Sequence, residues 1–323
     1  MDESPMRICT LIPAYKSKYV EPLLLGLQSQ TVKPYRIIFS DDSPGGIFSE
    51  RLLSDELEPL RAGLAIEVMP GPRNGAFENF KHLVNAWSRD SELFHILLDD
   101  DVVFPEFYER HLVAHLSGDF SCSISRRWES NEAGQPLRGQ PVPAAVANSM
   151  NRFLSLNADV AFMSTVAECK NWFGEFSNVV FRGDCSEVVL NPSIAGVSYA
   201  GLWDLGAFLA ASLLRPICHI QDHLGYFRKG PDQNSAQTYS PIMKAAMLAY
   251  VALAVSGRRI GKISGEQATH CFGTIANVLN YWYATQDDMV EFRNNLPRLA
   301  LDAQGAEDEF LACWQQFLAK NGY

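Results

Sequence analysis

The chain has 323 residues and a mass of 36.0 kDa, and 47% of its residues are hydrophobic. This is enough for one large domain or two ordinary ones with a buried core, and it excludes a disordered or fibrous protein. The 27 basic side chains stand against 37 acidic ones and the net charge is −10. Because that charge repels a phosphate backbone, we predict no nucleic-acid partner.

The cysteines and the N-terminus indicate a reducing compartment. Seven cysteines occur without any Cys-x-x-Cys pair, which favours free thiols over disulfides or a zinc site. Residues 1–6 carry acids where a secretion signal would be basic, so we expect a cytoplasmic protein. The apolar stretch 194–214 contains Asp204 and three glycines, and it predicts a buried helix and not a membrane span. Peripheral contact with the inner face of a membrane stays an open alternative.

Short apolar runs alternate with amphipathic segments through the first hundred residues. The pattern predicts strands at 8–12, 36–40, 65–69 and 95–98, and helices at 20–30 and 77–88. Such alternation favours a largely parallel sheet covered by helices on both faces. Since ligands of these sheets collect at the carboxyl ends of the strands, we expect the loops after the strands to converge on one crevice.

The rest of the chain changes in character twice. Residues 125–143 are charged and contain Pro and Gly, which predicts a long loop that covers a substrate. Beyond residue 237 the sequence predicts helices only, at 243–256, 266–283 and 307–319. We therefore predict a first domain at 1–235 and a helical region at 236–323. The run Tyr281–Tyr283 is expected to pack against the first domain or a second copy of the chain, which would make a homo-oligomer.

Acidic residues follow two of the predicted strands directly. Asp41 and Asp42 come after the second strand, and Asp99, Asp100 and Asp101 come after the fourth. Three consecutive carboxylates repel one another unless a cation neutralises them, and hard oxygen ligands favour Mg²⁺ or Mn²⁺. The alternative is a solvated acidic turn ahead of a helix that begins near Pro105.

Several short motifs of the chain together resemble the family 2 glycosyltransferases. They are Ile12-Pro13-Ala14-Tyr15, Gln28-Ser29-Gln30-Thr31, Asp41-Asp42-Ser43, Asn74-Gly75 and Leu98-Asp99-Asp100-Asp101, with a later echo at Tyr226-Phe227-Arg228 and Asn234-Ser235. Their order and context make the resemblance more specific than any one motif, and it reaches about residue 235. It implies an α/β GT-A fold, the nucleotide-diphospho-sugar transferase fold, followed by a C-terminal helical extension.

The resemblance also implies a reaction and roles for single residues. The reaction is transfer of a sugar from a nucleoside diphosphate sugar, of the UDP type, to an acceptor hydroxyl with inversion. Pro13, Ala14, Tyr15 and Asn74 would border the nucleotide, and Asp42, or Asp41 in its place, would hydrogen-bond the base. Asp101 would ligate Mn²⁺ or Mg²⁺ at the diphosphate, Asp99 or Asp100 would reach the ribose or a metal-bound water, and Arg228 would assist from a closing loop.

An inverting enzyme of this family needs a carboxylate that removes the proton of the acceptor hydroxyl. Asp204, beside Trp203, matches the acidic segment of the family. The Glu-Asp pair that usually precedes this segment is Gly201-Leu202 here, so Asp184 and Glu187 stay alternatives. His219 and His223 have a spacing that would suit a metal on a helix, but their flanks look extended, and we expect structural histidines with one of them as an alternative metal ligand.

The family acts on glycan or lipid-linked acceptors, often in bacterial surface glycan synthesis, and that acceptor class is the expectation here. Two other functions stay open. A sugar-phosphate nucleotidyltransferase also binds Mg²⁺ with acids, but it needs a Gly-rich loop after its first strand, and residues 13–18 contain no glycine. A non-catalytic sensor or scaffold would bind the sugar nucleotide and use the helical region for assembly.

Overall fold

The computed structural model describes residues 6–230, 233 and 237–323, which form two compact units. The first unit comprises Met1–Leu156, Phe173–Asn191 and Leu214–Lys229, and the second comprises Asn157–Trp172, Pro192–Leu213 and Gly230–Tyr323. The boundary predicted at Ser235, and the Asn234-Ser235 motif with it, lie outside the described residues. The second unit takes in two segments that the sequence analysis assigned to the first domain, residues 157–172 and 192–213.

The strands alternate with helices through the first half of the chain. The strands are β1 (Ile8–Ala14), β2 (Arg36–Asp41), β3 (Ile66–Pro70), β4 (Leu93–Ile96), β5 (Val102–Val103), β6 (Cys122–Ser130), β7 (Pro136–Gly139), β8 (Phe153–Leu156), β9 (Val179–Arg182), β10 (Ser193–Ile194), β11 (Val197–Ser198) and β12 (Ile217–Arg228).

The helices range from single turns to 19 residues. They are α1 (Val20–Gln28), α2 (Ile47–Leu52), α3 (Glu58–Arg61), α4 (Ala76–Trp87), α5 (Phe107–Ser117), α6 (Ala144–Ala147), α7 (Ala158–Thr165), α8 (Glu187–Leu190), α9 (Trp203–Ser212), α10 (Pro241–Arg259), α11 (Gly265–Trp282), α12 (Val290–Ala300) and α13 (Ala306–Asn321).

The first unit is built on one ten-stranded sheet in the order β3-β2-β1-β4-β9-β6-β12-β5, with β7 beside β6 and β8 beside β12. Strands β3, β2, β1 and β4 run parallel. Strand β9 is antiparallel to both β4 and β6, and β12 is parallel to β6. The carboxyl ends of β1, β2, β3, β4, β6 and β12 therefore share one edge of the sheet. The α/β architecture predicted from the sequence, with a largely parallel sheet, is confirmed.

The sheet forms because its strands are apolar on both faces, as expected for strands covered by helices. Every residue of β1 but Pro13 is buried, and so is every residue of β2 but Arg36. Leu23, Leu24 and Leu27 of α1 pack into the same apolar core as Phe107 and Tyr108 of α5. This burial holds the strand ends, and hence the loops after them, in place.

Two predicted elements were wrong. Residues 125–143 are not one long loop, because β6 and β7 pair as an antiparallel hairpin across this segment. Polar residues of β6 such as Arg127 and Glu129 are buried beside ionic partners, which a hydrophobic pattern cannot reveal. Residues 194–214 are not one helix either: the β10–β11 hairpin comes first, and α9 begins at Trp203.

The second unit is mainly helical, as the sequence predicted for its C-terminal part. Helix α10 is buried along most of its length, and Nε1 of Trp314 in α13 donates a hydrogen bond of 2.9 Å to the Ser198 carbonyl. Tyr283 is buried, whereas Tyr281 is 84% exposed. Across the described part of the chain, every helix is too short or too polar to cross a membrane.

Candidate functional site

Three loops meet at the carboxyl edge of the sheet. Ala14 at the end of β1 pairs with Asp41 at the end of β2, and Asp41 pairs with Pro70 at the end of β3. The backbone N–H groups of Tyr15 and Lys16 donate to Oδ2 of Asp99, at 2.6 and 2.5 Å. The convergence that the strand pattern predicted is therefore confirmed.

The two aspartates after β2 have different surroundings. Both oxygens of Asp41 accept hydrogen bonds within its own loop, from the backbone and hydroxyl of Ser43 and of Ser49. Although burial alone would raise the pKa of Asp41, these bonds lower it below its usual value. Asp42 is half-buried, and its Oδ1 accepts from the Arg73 N–H at 2.6 Å. Asp41 thus stabilises the turn, and Asp42 is the carboxylate presented at its surface.

The aspartates after β4 are all buried. Burial, with the charge of Asp100 added, raises the pKa of Asp99 to about 6. The same two causes raise the pKa of Asp101 well above its usual range, and the charge of Glu175 adds to the shift. Asp100 forms an ion pair with the Lys16 ammonium. Although burial lowers the pKa of Lys16, the Asp100 carboxylate raises it to a net value above the usual one.

Asp101 combines one held oxygen with one unsatisfied oxygen. Its Oδ1 accepts from the backbone N–H of Arg228 at 3.1 Å. Its Oδ2 is buried and has no hydrogen-bond donor at normal distance among the described residues, although the nearby Ser177 hydroxyl partly offsets the rise that burial causes in the pKa of the carboxyl. A buried carboxylate oxygen without a donor costs free energy, so its persistence indicates a place for a cation or a donor group. Among the described residues, no three His, Cys, Asp or Glu side chains are grouped to hold a metal ion by themselves.

A chain of buried hydrogen bonds holds the loop that carries Asp99, Asp100 and Asp101, here called the aspartate loop. The Nε2 atom of His95 lies 3.0 Å from the Ser177 carbonyl, so this nitrogen carries the proton and donates. His95 Nδ1 then accepts from the Tyr108 hydroxyl at 3.2 Å, and that hydroxyl accepts from Thr10 at 2.7 Å. Complete burial lowers the pKa of His95 to about 3, which keeps the ring neutral. The Ser177 hydroxyl in turn accepts from the Leu98 N–H at 3.1 Å.

Arg228 holds the same loop from the end of β12. Its Nε donates to the Asp100 carbonyl at 2.9 Å, and its guanidinium carbon lies 4.4 Å from the centre of the Tyr19 ring. Its Nη2 donates to the Tyr226 hydroxyl at 3.1 Å. These contacts give Arg228 a positioning role at the loop of Asp100 and Asp101, and its assistance from a closing loop, which the resemblance implies, stays a prediction.

The other residues that were predicted to border the nucleotide lie along the same edge. Pro13 and Ala14 are the last two residues of β1, and the Tyr15 side chain that follows is 56% exposed. Asn74 is exposed in the loop between β3 and α4. The structure thus brings the predicted residues of β1, β2 and β4 together through strand pairing and hydrogen bonds, whereas for Asn74 it shows an exposed side chain in a neighbouring loop.

The candidates for general base lie in different units. Asp204 is in the first turn of α9, in the second unit, where its Oδ1 accepts from the Leu205 N–H at 2.7 Å. In the first unit, Asp184 forms an ion pair with Arg215, and Glu187 forms one of 2.7 Å with Arg89. His219 and His223 lie on the extended strand β12, as predicted, and the His223 ring stacks on Trp128 with centroids 4.5 Å apart.

Sequence reasoning missed several residues of the edge, among them Ser177, Arg127 and Glu175. They come from segments far along the chain from the aspartate motif, and no motif marks them. Arg127 and Glu175 form an ion pair in which Nη2 lies 2.5 Å from a carboxylate oxygen. An unusually polar strand, Cys122–Ser130, is the one signal in the sequence that points to this part of the site.

The structural comparison finds proteins of the same fold at low sequence identity. The structure is similar to the 1–349 fragment of TarS from S. aureus in complex with UDP-GlcNAc, with a TM-score of 0.57, 13% identity and coverage of 98% of this chain and 92% of that one. The same fragment in complex with UDP gives a TM-score of 0.52 at 13% identity, with the same coverage. For a longer TarS chain the values are 0.53 and 12%, and the match covers 97% of this chain but 55% of that one. These similarities show that this chain has the GT-A fold that its sequence predicted.

Comparisons of the sequence with protein-family models and with curated proteins give no match.

Proposed function

We propose that this protein is a GT-A glycosyltransferase that moves a sugar from a UDP-sugar to an acceptor hydroxyl. The observation that carries the proposal is that the ends of β1, β2 and β4 meet at one sheet edge, where Ala14 pairs with Asp41 and the β1 loop binds Asp99. It agrees with the fold similarity to TarS, which was crystallised with UDP-GlcNAc and with UDP. Ligands of open α/β sheets bind at this edge.

The uridine moiety would lie over the ends of β1 and β2. Asp42 is the carboxylate for the base, because both oxygens of Asp41 are engaged inside the turn. Tyr15 presents an exposed ring on which the base would stack. Asp99 keeps the β1 loop closed through the N–H groups of Tyr15 and Lys16, so its proposed role is to shape the pocket.

The residues fit a divalent cation at Asp101. Its unsatisfied Oδ2 is a hard oxygen ligand, and the diphosphate and water would supply the remaining oxygens, as Mg²⁺ and Mn²⁺ sites in proteins often require. A bound cation would stabilise the negative charge that develops on the leaving diphosphate. Lys16 of the loop after β1, whose ammonium pairs with Asp100, adds positive charge to this place.

Transfer with inversion is one displacement at the anomeric carbon. The acceptor oxygen forms the new bond, the bond to the diphosphate breaks with its electron pair leaving on UDP, and a carboxylate takes the hydroxyl proton. Asp204 is the proposed base because it matches the acidic segment that the resemblance implies, and Asp184 and Glu187, which form ion pairs with arginines, stay alternatives. A glycan or lipid-linked acceptor, assembly through residues 236–323 and a cytoplasmic location beside the membrane remain predictions.

A thermal-shift measurement tests the proposed donor. UDP and UDP-GlcNAc, each with Mn²⁺, are expected to raise the Tm, and GDP and dTDP are expected to raise it less, because a ligand that binds only the folded state stabilises it. The purified protein should also release UDP slowly from the UDP-sugar by hydrolysis. A Tm that no nucleotide changes, with or without Mn²⁺, would contradict the proposal.

A further inference from the structure

A second polar cluster lies at the same edge of the sheet, close to Asp101. Arg127 is on β6, and Glu175 precedes the turn that contains Ser177. Nη2 of Arg127 lies 2.5 Å from the Glu175 carboxylate, and the guanidinium carbon lies 4.5 Å from the centre of the Phe227 ring. Glu175 also caps that turn by accepting from the Asn178 N–H.

The neighbours of this pair place it beside the aspartate loop. Phe227, under Arg127, is followed in β12 by Arg228, whose N–H binds Asp101 at 3.1 Å. Glu175 is two residues before Ser177, whose hydroxyl holds the Leu98 N–H at 3.1 Å. Arg127 and Glu175 are therefore both connected, through Phe227–Arg228 and through Ser177, to the loop that carries Asp101, within one unit.

The pair leaves hydrogen-bonding capacity unused in a buried place. The side chain of Arg127 is 7% exposed, yet its Nε and Nη1 atoms donate no hydrogen bond to any described residue. The Glu175 carboxylate meets the Arg127 guanidinium through Nη2 alone and also accepts from the Asn178 N–H. Folding that serves stability alone would satisfy such groups, because an unmade hydrogen bond of a buried charged group is costly. The arrangement offers donors and an acceptor side by side.

The charges around the pair favour a neutral polyhydroxyl ligand over a phosphate. Glu129 lies in the same cluster and pairs with Arg138 at 2.7 Å and with Lys229 at 2.9 Å. The two glutamates therefore offset two of the three cations, which leaves little net charge to attract an anion. A sugar hydroxyl both donates and accepts hydrogen bonds, so adjacent hydroxyls match a guanidinium beside a carboxylate.

We propose that Arg127 and Glu175 bind hydroxyl groups of the sugar of the UDP-sugar donor, next to the diphosphate at Asp101. The inference rests on the proposed function and deepens it. Arg127 donates to the sugar through Nε and Nη1, and the Glu175 carboxylate orients the guanidinium and accepts from a hydroxyl through a remaining lone pair. The pair thereby contributes to the choice of sugar, whereas Asp42 and Tyr15 recognise the nucleotide.

Two conservative variants separate this role from a structural one. Glu175→Gln keeps an oxygen for the Asn178 cap but replaces one carboxylate oxygen by an amide donor, and Arg127→Lys keeps the charge but removes the fork of N–H donors. The matched control is Glu67→Gln, which removes one carboxylate of an ion pair with Arg36 at the opposite, amino edge of the same sheet.

Isothermal titration calorimetry with Mn²⁺ compares UDP, UDP-GlcNAc and UDP-glucose. For whichever sugar nucleotide the wild type binds more tightly, both variants are expected to lose about tenfold or more in affinity while the affinity for UDP stays within about twofold. The control should change neither value. Thermal melts of all four proteins, without ligand, verify that they are folded.

The remaining outcomes overturn one proposal or the other. An unchanged ratio of sugar-nucleotide to UDP affinity in the folded variants excludes the sugar subsite. An equal loss for UDP and for the sugar nucleotides also excludes it, because the change would then lie in the nucleotide pocket. A wild type that binds none of the three ligands overturns the proposed function itself.

Discussion

The acidic side chains at the two edges of the central sheet differ in their burial and in their partners. At the amino edge, acids meet arginine side chains: Arg36 pairs with Asp90 at 2.9 Å and also with Glu67, and Arg7 pairs with Glu92 at 3.5 Å. These groups are all partly exposed. Exposed pairs of this kind contribute little to stability and keep the edge soluble.

At the carboxyl edge the aspartates after β4 are buried, and although Asp100 pairs with Lys16, both Asp99 and Asp101 are held by backbone N–H groups. Asp99 accepts from Tyr15 and Lys16, and Asp101 accepts from Arg228 with one oxygen while the other has no donor at normal distance among the described residues. Raised pKa values for Asp99 and Asp101 show that their charged forms are disfavoured in the folded protein. The contrast indicates that the charges of the amino edge contribute only to the fold. The buried carboxylates of the carboxyl edge lower stability, which is typical of residues that bind a ligand.

The largest effect that tests this contrast is expected for Asp101→Asn. Loss of the carboxylate at the leaving diphosphate should slow UDP release about 100-fold or more. The Tm should stay the same or rise, because the variant removes a buried, disfavoured charge. Enzyme-coupled detection of UDP and a thermal melt measure both. Asp90→Asn at the amino edge is the control, and a variant of Asp101 with wild-type turnover would refute the assignment.

The neighbouring aspartates of the β2 loop should separate stability from binding. Asp41→Ala removes a buried acceptor of several hydrogen bonds and is expected to lower the free energy of unfolding by about 3 kcal/mol. Asp42→Ala should lower it by less than about 1 kcal/mol but weaken UDP binding. Urea denaturation and calorimetry give the two quantities. Equal losses of stability in both variants would contradict the assignment of a structural role to Asp41 and a binding role to Asp42.

Buried histidines between the two edges should make the protein sensitive to acid. Burial lowers the pKa of His95 to about 3, of His115 to about 4 and of His219 to about 3, and it lowers that of His111 as well. Below the unfolded value of about 6.5 the unfolded chain binds protons that the folded protein does not, so stability falls as the pH falls.

The expected loss is on the order of 1 kcal/mol for each of these histidines between pH 7.5 and pH 5.5. Urea denaturation at the two pH values measures it. His115→Gln should reduce the loss of stability between the two pH values by about 1 kcal/mol. His270→Gln, at an exposed position, should leave that loss unchanged. Because the raised pKa values of Asp99 and Asp101 act in the opposite direction on the total, the decisive result is the comparison of variants: a pH dependence that His115→Gln leaves unchanged would show that this ring is not held neutral.

The smallest effect is expected at the amino edge. Glu67→Gln breaks an ion pair whose glutamate side chain is 47% exposed, and it should lower the free energy of unfolding by a few tenths of a kcal/mol. The difference should shrink further in 1 M salt, which screens exposed charges. A loss above about 2 kcal/mol would mean that this edge depends on its charges as strongly as the other one does.

Sequence patterns predicted the first four strands to within two residues at most ends, because short apolar runs and turn residues act locally. The third predicted strand, 65–69, is Ile66–Pro70 in the structure, and the fourth, 95–98, is Leu93–Ile96. The same approach failed for β6, where buried polar residues have distant ionic partners. The periodicity of apolar residues cannot predict such distant ionic partners.

By itself, the sequence determined that acidic residues follow the second and fourth strands, and hence that they meet at one edge of a parallel sheet. Tertiary structure alone decided which of these acids is satisfied and which is left open. The N–H that binds Asp101 belongs to Arg228, and the N–H groups that bind Asp99 belong to Tyr15 and Lys16. Hydrogen bonds between residues so far apart in the chain exist only once the sheet has brought their strands together, and that is why spacing and composition cannot reveal them.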